Sequence, residues 1–243
     1  AVASEAEQYA QAKVDGLVQT AAASSAEQAF LSSYGQEPSI VSIRAAKEFM
    51  SNRSIHRSVA GLAARYGVPF GVSAANTASL ENAEKMRQAV ENWGEAADKV
   101  IDQIFENTAL TGEDSEKLLV LRGAIRLSGS LAKQECYEIP ISGEDGIVKL
   151  NLTIVHSGKT SGRASIRMAG SEETKFEISL EGKKLNCYIT TASRQELDRI
   201  QGKEEAVKSA LKGQGFEIVQ WNYGLDTRSV ASAAAFSSIS AQE

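Results

Sequence analysis

The sequence predicts an α+β protein, with an all-helical first part followed by a mostly antiparallel sheet carrying one packed helix. Three observations lead there. Five runs, Tyr137-Ile139-Ile141, Val148-Leu150-Leu152-Ile154, Ala164-Ile166-Met168, Phe176-Ile178-Leu180 and Leu185-Cys187-Ile189, place apolar residues at every second position, which gives each strand one buried and one wet face. A helix then opens at Ser193, and a last run from Phe216 to Tyr223 closes the unit. Upstream of residue 131 the apolar residues recur instead at intervals of three and four, the helical period. Helices set against one face of such a sheet make a layered α+β arrangement.

Taken in order, residues 1–35 are an Ala-, Ser- and Gln-rich segment, and Ala3 to Thr20 favours helix by propensity. Residues 36–130 read as a helical domain. Pro38 suits a first helical turn, with Ile40, Ile43 and Met50 following it. Ser54 is placed to cap the next helix, whose Ile55, Val59, Leu62 and Tyr66 share one face, and Gly67 and Pro69 stop it. The longest helix is expected from about Ser79 to Asn107, with Met86, Val90, Trp93, Ala97, Val100 and Ile104 along one seam. Such a seam serves either a core helix or weak self-association through Met86, Val90, Trp93, Ala97 and Ile104. Asp114 is positioned to cap a helix containing Leu118, Leu121 and Ile125, and Ser128-Gly129-Ser130 is expected to end it.

Residues 131–228 then form the α+β domain, and 229–243 a Ser- and Ala-rich flexible tail. Gly143 to Gly146 and Ser157 to Gly162 separate the first strands, and Glu181-Gly182 makes a tight hairpin turn. Ser193 and Glu196 have the spacing of a capping box. Leu197, Ile200, Val207 and Leu211 make the expected buried stripe of the helix, with a break near Gly202.

An apolar fraction of 42% with only three prolines fills a core and excludes a disordered linker. The net charge of −5 is spread evenly, without the concentrated basic surface of a nucleic-acid binder. No apolar run approaches the roughly 20 residues of a membrane span, and no charged n-region precedes an apolar h-region, so a cytoplasmic location is expected. The first residue is Ala, which is compatible with a fragment of something longer. Cys136 and Cys187 lack metal-ligand spacing and read as buried, reduced thiols. Neither a cofactor nor a metal is expected.

The tempting motifs are weak. Gly158-Lys159-Thr160 resembles the end of a P-loop, but Thr153 stands where the first Gly belongs and a strand follows instead of a helix. His156 at a strand end and His56, expected on the polar side of its helix, have no Cys, Asp or second His at ligand spacing. Glu172-Glu173 reads as a solvated turn pair, and Lys159, Arg163 and Arg167 as a small basic strip on a wet face. An enzyme using His156 with a nearby acid is the alternative that a cleft would favour.

Phe176 to Cys187, Arg194-Gln195-Glu196-Leu197, and Leu211 with Gly215-Phe216 and Val219 reproduce an order of strand, glycine turn, strand, Arg-x-x-Leu helix opening, Leu-rich close and final strand. In this the chain resembles the C-terminal domain of bacterial flagellar hook-length control proteins, with Glu172-Glu173-Thr174 standing where the family carries Pro and Leu-Gly. The resemblance implies a non-enzymatic protein-binding module of the flagellar type III export system. It also implies a protein partner at the export gate and possible export through that apparatus. The residues expected to contact the partner are Lys183, Lys184, Arg194 and Trp221, on the wet faces of the last hairpin, helix and strand.

Overall fold

Helical periodicity gives way to strand alternation at the end of the first half, and in the computed structural model the chain parts into two units between Gln134 and Glu135. The structure describes residues 25–51, 54–71, 75, 80–107, 109–143, 146–169 and 173–225. The helix expected over Ala3 to Thr20 and the tail at 229–243 lie outside them. The α+β class is as expected: among the described residues there are five helices in the first unit, then a six-stranded, mostly antiparallel sheet with its own helical layer in the second.

In the first unit the helices are α1 (Ser25–Ser33), α2 (Ile40–Met50), α3 (Ile55–Arg65), α4 (Ala83–Phe105) and α5 (Gly112–Ala132). Each start has a chemical cause. Ser39, rather than the first-turn position of Pro38, caps α2 in a capping box with Ser42, while Ser54 accepts from the Arg57 amide at the head of α3. Gly67 sits at φ 68° just past α3, a left-handed conformation that L side chains resist. Asn82 caps α4.

At α5 the cap is Thr111, which accepts from the Asp114 amide at 3.1 Å. Asp114 was expected in that role, but one turn in, its carboxylate is free for tertiary work. It accepts both Arg65 Nη1 contacts, at 2.9 and 2.8 Å, and the Tyr66 hydroxyl at 2.6 Å, tying the end of α3 to the start of α5. Ser128-Gly129-Ser130 does not break α5. Ser128 is fully buried and the helix continues to Ala132, because the Leu118–Leu121–Ile125–Leu131 stripe keeps paying for helix across weak local propensity.

Met86, Val90, Trp93, Ala97, Val100 and Ile104 are all buried, and α4 packs on α3 and α5. The seam considered for self-association is therefore occupied within the chain. His56 is likewise not on a polar face: it is buried, 4.9 Å from the Phe70 ring that returns after the Gly67 turn. Packing of α2 on α5 is close enough that a Cβ on Gly123 would lie 3.2 Å from Val41 Cγ1 and 3.3 Å from Ala45 Cβ.

The second unit contains β1 (Cys136–Gly143), β2 (Gly146–His156), β3 (Ser161–Ala169), β4 (Glu173–Glu181), β5 (Lys184–Thr191), α6 (Arg194–Gln201), α7 (Glu204–Gly213) and β6 (Glu217–Leu225). Strand order follows the chain. Neighbours are antiparallel except β5 and β6, which α6 and α7 connect in parallel, as a crossover must. Gly182 at φ 60° opens the two-residue β4–β5 turn, the position a II′ turn reserves for glycine.

Pairing aligns the apolar residues on one face of the sheet. Its buried centre is Leu185, Cys187 and Ile189, onto which Phe176, Ile178, Leu180, Ile200, Leu211, Trp221 and Tyr223 pack. The helix expected here with a break near Gly202 is two helices, separated at Gly202 and Lys203. After the break Glu204, Lys208 and Leu211 turn inward, so Val207, expected in the buried stripe, is 43% exposed.

Two tests follow from the first unit. Gly123→Val should destabilise it by about 1–3 kcal/mol through overpacking, read as a lower urea midpoint. Burial alone would raise the Asp114 pKa, but hydrogen bonds from Tyr66 and Arg65 and the Arg65 charge outweigh it and hold the carboxyl below its usual range. Its stabilisation is thus full above the unfolded value of about 3.9 and disappears as pH falls through the lower folded value. Asp114→Asn should lower the melting temperature at neutral pH and flatten the acid limb of a melting-temperature profile.

Candidate functional site

The expected contact residues fall in the second unit, around β5 and β6. Lys183 and Lys184 are exposed at the β4–β5 turn, and among the described residues no ion pair involves either. The backbone there is rigidly held: the Glu217 amide donates to the Lys183 carbonyl at 2.8 Å, pinning the start of β6 to the turn. Arg194 opens α6, and its Nε lies 3.1 Å from Asp198. Lys184 begins β5 and Arg194 lies beyond its end, and the strand between them, at about 3.3 Å per residue, spans roughly 23 Å. The four residues do not form one cluster.

Trp221 is not on a wet face. It is half-buried, opposite Cys187, on the side covered by α7. Its Nε1 donates to the Tyr223 hydroxyl at 2.8 Å, and that hydroxyl donates to Glu204 Oε2 at 2.8 Å. Glu204 also pairs with Lys208, whose ammonium lies 5.6 Å from the Trp221 ring centroid, within cation–π range. These four side chains fasten α7 to β6. Burial, then the hydrogen bond to the Glu204 carboxylate, pushes the Tyr223 phenol up to about 12. Lys208 and Tyr223 together hold Glu204 below its ordinary range.

Trp221 and Tyr223 read first as core aromatics by residue type, and this packing is what the structure has; the wet-face placement of Trp221 fails because of a slip in register. Leu185 pairs with Ile218, but Asn186 pairs with Gln220, so β6 carries one extra residue at Val219. A bulge of this kind reverses the alternation beyond it. The spacing of three between Ile218 and Trp221, both apolar, is the trace it leaves in the sequence.

A second cluster that sequence reading did not assemble lies on the opposite sheet face. Glu138 and Lys149 pair at 3.1 Å with almost no exposure. Arg167 Nε lies 3.0 Å from Glu173, and Lys175 Nζ 3.7 Å from the same carboxylate. Arg167 is thereby committed to Glu173 and not to a basic strip with Lys159 and Arg163, and Glu173 is a strand residue and not a solvated turn acid. Cross-strand register explains both: Ala169 opposite Glu173 and Arg167 opposite Lys175 bring the charges to neighbouring positions.

His156 and Glu135 form the third arrangement. His156 Nε2 is 2.6 Å from Glu135 Oε2, and Glu135 adopts φ 58°. The pair has the geometry of an oriented imidazole, but the ring is 67% exposed on the surface and not held in a cleft. Both cysteines are free and buried, and burial pushes the Cys187 thiol up to about 11, so it stays protonated and unreactive. Among the described residues no group of three or more His, Cys, Asp or Glu could hold a metal ion, and no helix is long and apolar enough to cross a membrane.

Comparison with family models, with curated proteins and with solved structures finds no match for this chain.

The fastening of α7 to β6 is open to direct test. Tyr223→Phe removes the acceptor for Trp221 and the donor for Glu204, and should cost about 1–3 kcal/mol because the indole N–H is left half-buried and unpaired. Chemical denaturation measures the loss, and the Trp emission maximum should shift in the native state.

Proposed function

We propose that this chain is a protein-binding module of the flagellar hook-length control and type III export kind, working by docking instead of catalysis. The observation that carries the reading is the presentation of Lys183 and Lys184. Both are exposed cations without ion-pair partners, on a hairpin whose backbone is pinned to β6 and whose strands stand on a helix-covered core. Ordering such side chains on a rigid support lowers the entropy cost of binding a charged surface. The order of β4, turn, β5, α6–α7 and β6 supports the family resemblance as well, since it reproduces strand, glycine turn, strand, helix and final strand over the same residues.

In this reading the chain acts in the cytoplasm at the export gate, and it is either retained there or passed through the apparatus. Lys183 and Lys184 make the contact. Arg194, at the head of α6 past the far end of β5, belongs to a separate part of the surface, and Trp221 supports the contact from within by holding α7 against β6.

The experiment is capture of cytoplasmic export-gate components by the purified chain. Lys183→Glu with Lys184→Glu should reduce capture about tenfold, as loss of steering and rim charge does at comparable interfaces, while Arg194→Glu should leave it within twofold. Undiminished capture by the double variant removes these lysines from the contact, and no capture by the wild-type chain removes the reading.

A further inference from the structure

The sheet of the second unit ends in β6, and among the described residues no strand pairs with its outer edge and no turn or loop hydrogen bond reaches it. Proteins blunt such edges with Lys, Pro, inward charges or covering elements. β6 reads Glu-Ile-Val-Gln-Trp-Asn-Tyr-Gly-Leu, with one charge at its first position and neither Lys nor Pro. Val219 is 53% exposed and Leu225 44%. Its one protective feature is the bulge at Val219, which still leaves 220–225 in regular register with β5.

The edge is also stiff. Trp221 and Tyr223 are bonded to each other and to Glu204 of α7. On the other face the Tyr188 ring lies over Gly224 so closely that a Cβ there would collide with its hydroxyl. A strand held from both faces, with its outer amides and carbonyls open, is a preformed template for main-chain pairing.

Charge selects the occupant. At the start of β6 stand Lys183, Lys184 and Lys212. None has an ion-pair partner among the described residues, and Lys183 Nζ reaches to within 3.7 Å of where a Cβ on Gly215 would lie. Lys184 is in register with Glu217 and Glu181, so three ammonium groups outnumber two carboxylates at this end. A second copy of this chain has no net acid to offer them from the residues next to β6 in sequence, Asp226-Thr227-Arg228.

We propose that β6 takes up an extended segment of a partner protein as a seventh strand, paired through its backbone with residues 220–225 and ending in acidic residues beside Lys183, Lys184 and Lys212. This deepens the protein-binding reading above and rests on it.

A fluorescein-labelled peptide, acetyl-Thr-Val-Thr-Ile-Thr-Val-Asp-Glu-Asp-amide, titrated with the full chain and followed by anisotropy, tests the inference. Saturable binding is expected. Lys183→Glu, Lys184→Glu and Lys212→Glu together should weaken it about tenfold, since three rim charges at roughly 0.5 kcal/mol each amount to one decade. All three side chains are exposed, and circular dichroism confirms that the variant folds. Methylating alternate peptide amides separates strand addition from simple charge attraction. One alternate set faces β6 and should abolish binding, whereas the other should leave it intact.

Equal effects of the two sets, no saturable binding, or unchanged affinity of the triple variant overturns the proposal. A mass that rises with concentration and falls when peptide is added assigns the edge to a second copy and also overturns it. If export-gate capture persists while the peptide fails, strand addition is lost and the docking reading stands.

Discussion

Strand β5 pairs antiparallel with β4 and parallel with β6 while its inner row, Leu185, Cys187 and Ile189, carries the helical layer. The partly buried side chains of β4, α6, α7 and β6 pack against those three positions. Burying Leu or Ile is worth roughly 1.5–3 kcal/mol each, and here the same side chains also fix register, since a one-residue slip would turn all of them to the opposite face. The β4–β5 turn inherits its orientation from that register, and so does β6.

On the other face the sheet is not simply wet. Glu138 with Lys149, and Arg167 with Glu173 and Lys175, are ion pairs held at low exposure. A buried pair gains little net stability over an apolar one, but losing one partner strands a charge. These pairs therefore favour one strand register over others more than they add to stability. In the first unit buried Asp114 joins Arg65 and Tyr66, and buried Arg122 pairs with Asp98 and Asp102.

Fold class and strand positions were legible in the sequence because period-two alternation is decisive when one face is buried. Tyr137, Ile139, Leu185 and Ile189 sit where that rule puts them. Helix ends were less so. Ser128-Gly129-Ser130 has breaker composition, yet tertiary burial of its neighbours carries α5 through, and Val207 was misplaced because a break in a helix resets its phase. At the candidate site the exposed lysines could be read from turn chemistry, whereas Trp221 could not, since a bulge is invisible to a rule of strict alternation. His156 and Glu135, distant in sequence, meet only because the turn into β1 takes a left-handed residue.

The parallel junction of β5 with β6 has a consequence for how the sheet assembles. Strands β1 to β5 are joined by successive hairpins, whose loops close quickly and at little entropic cost. β6 has no such neighbour to zip against until α6 and α7 have folded back across the sheet. Pairing β6 with β5 therefore closes a loop that spans both helices, a costlier closure than that of any hairpin in the sheet. The outer edge of the sheet is thus the one part whose pairing depends on the crossover helices.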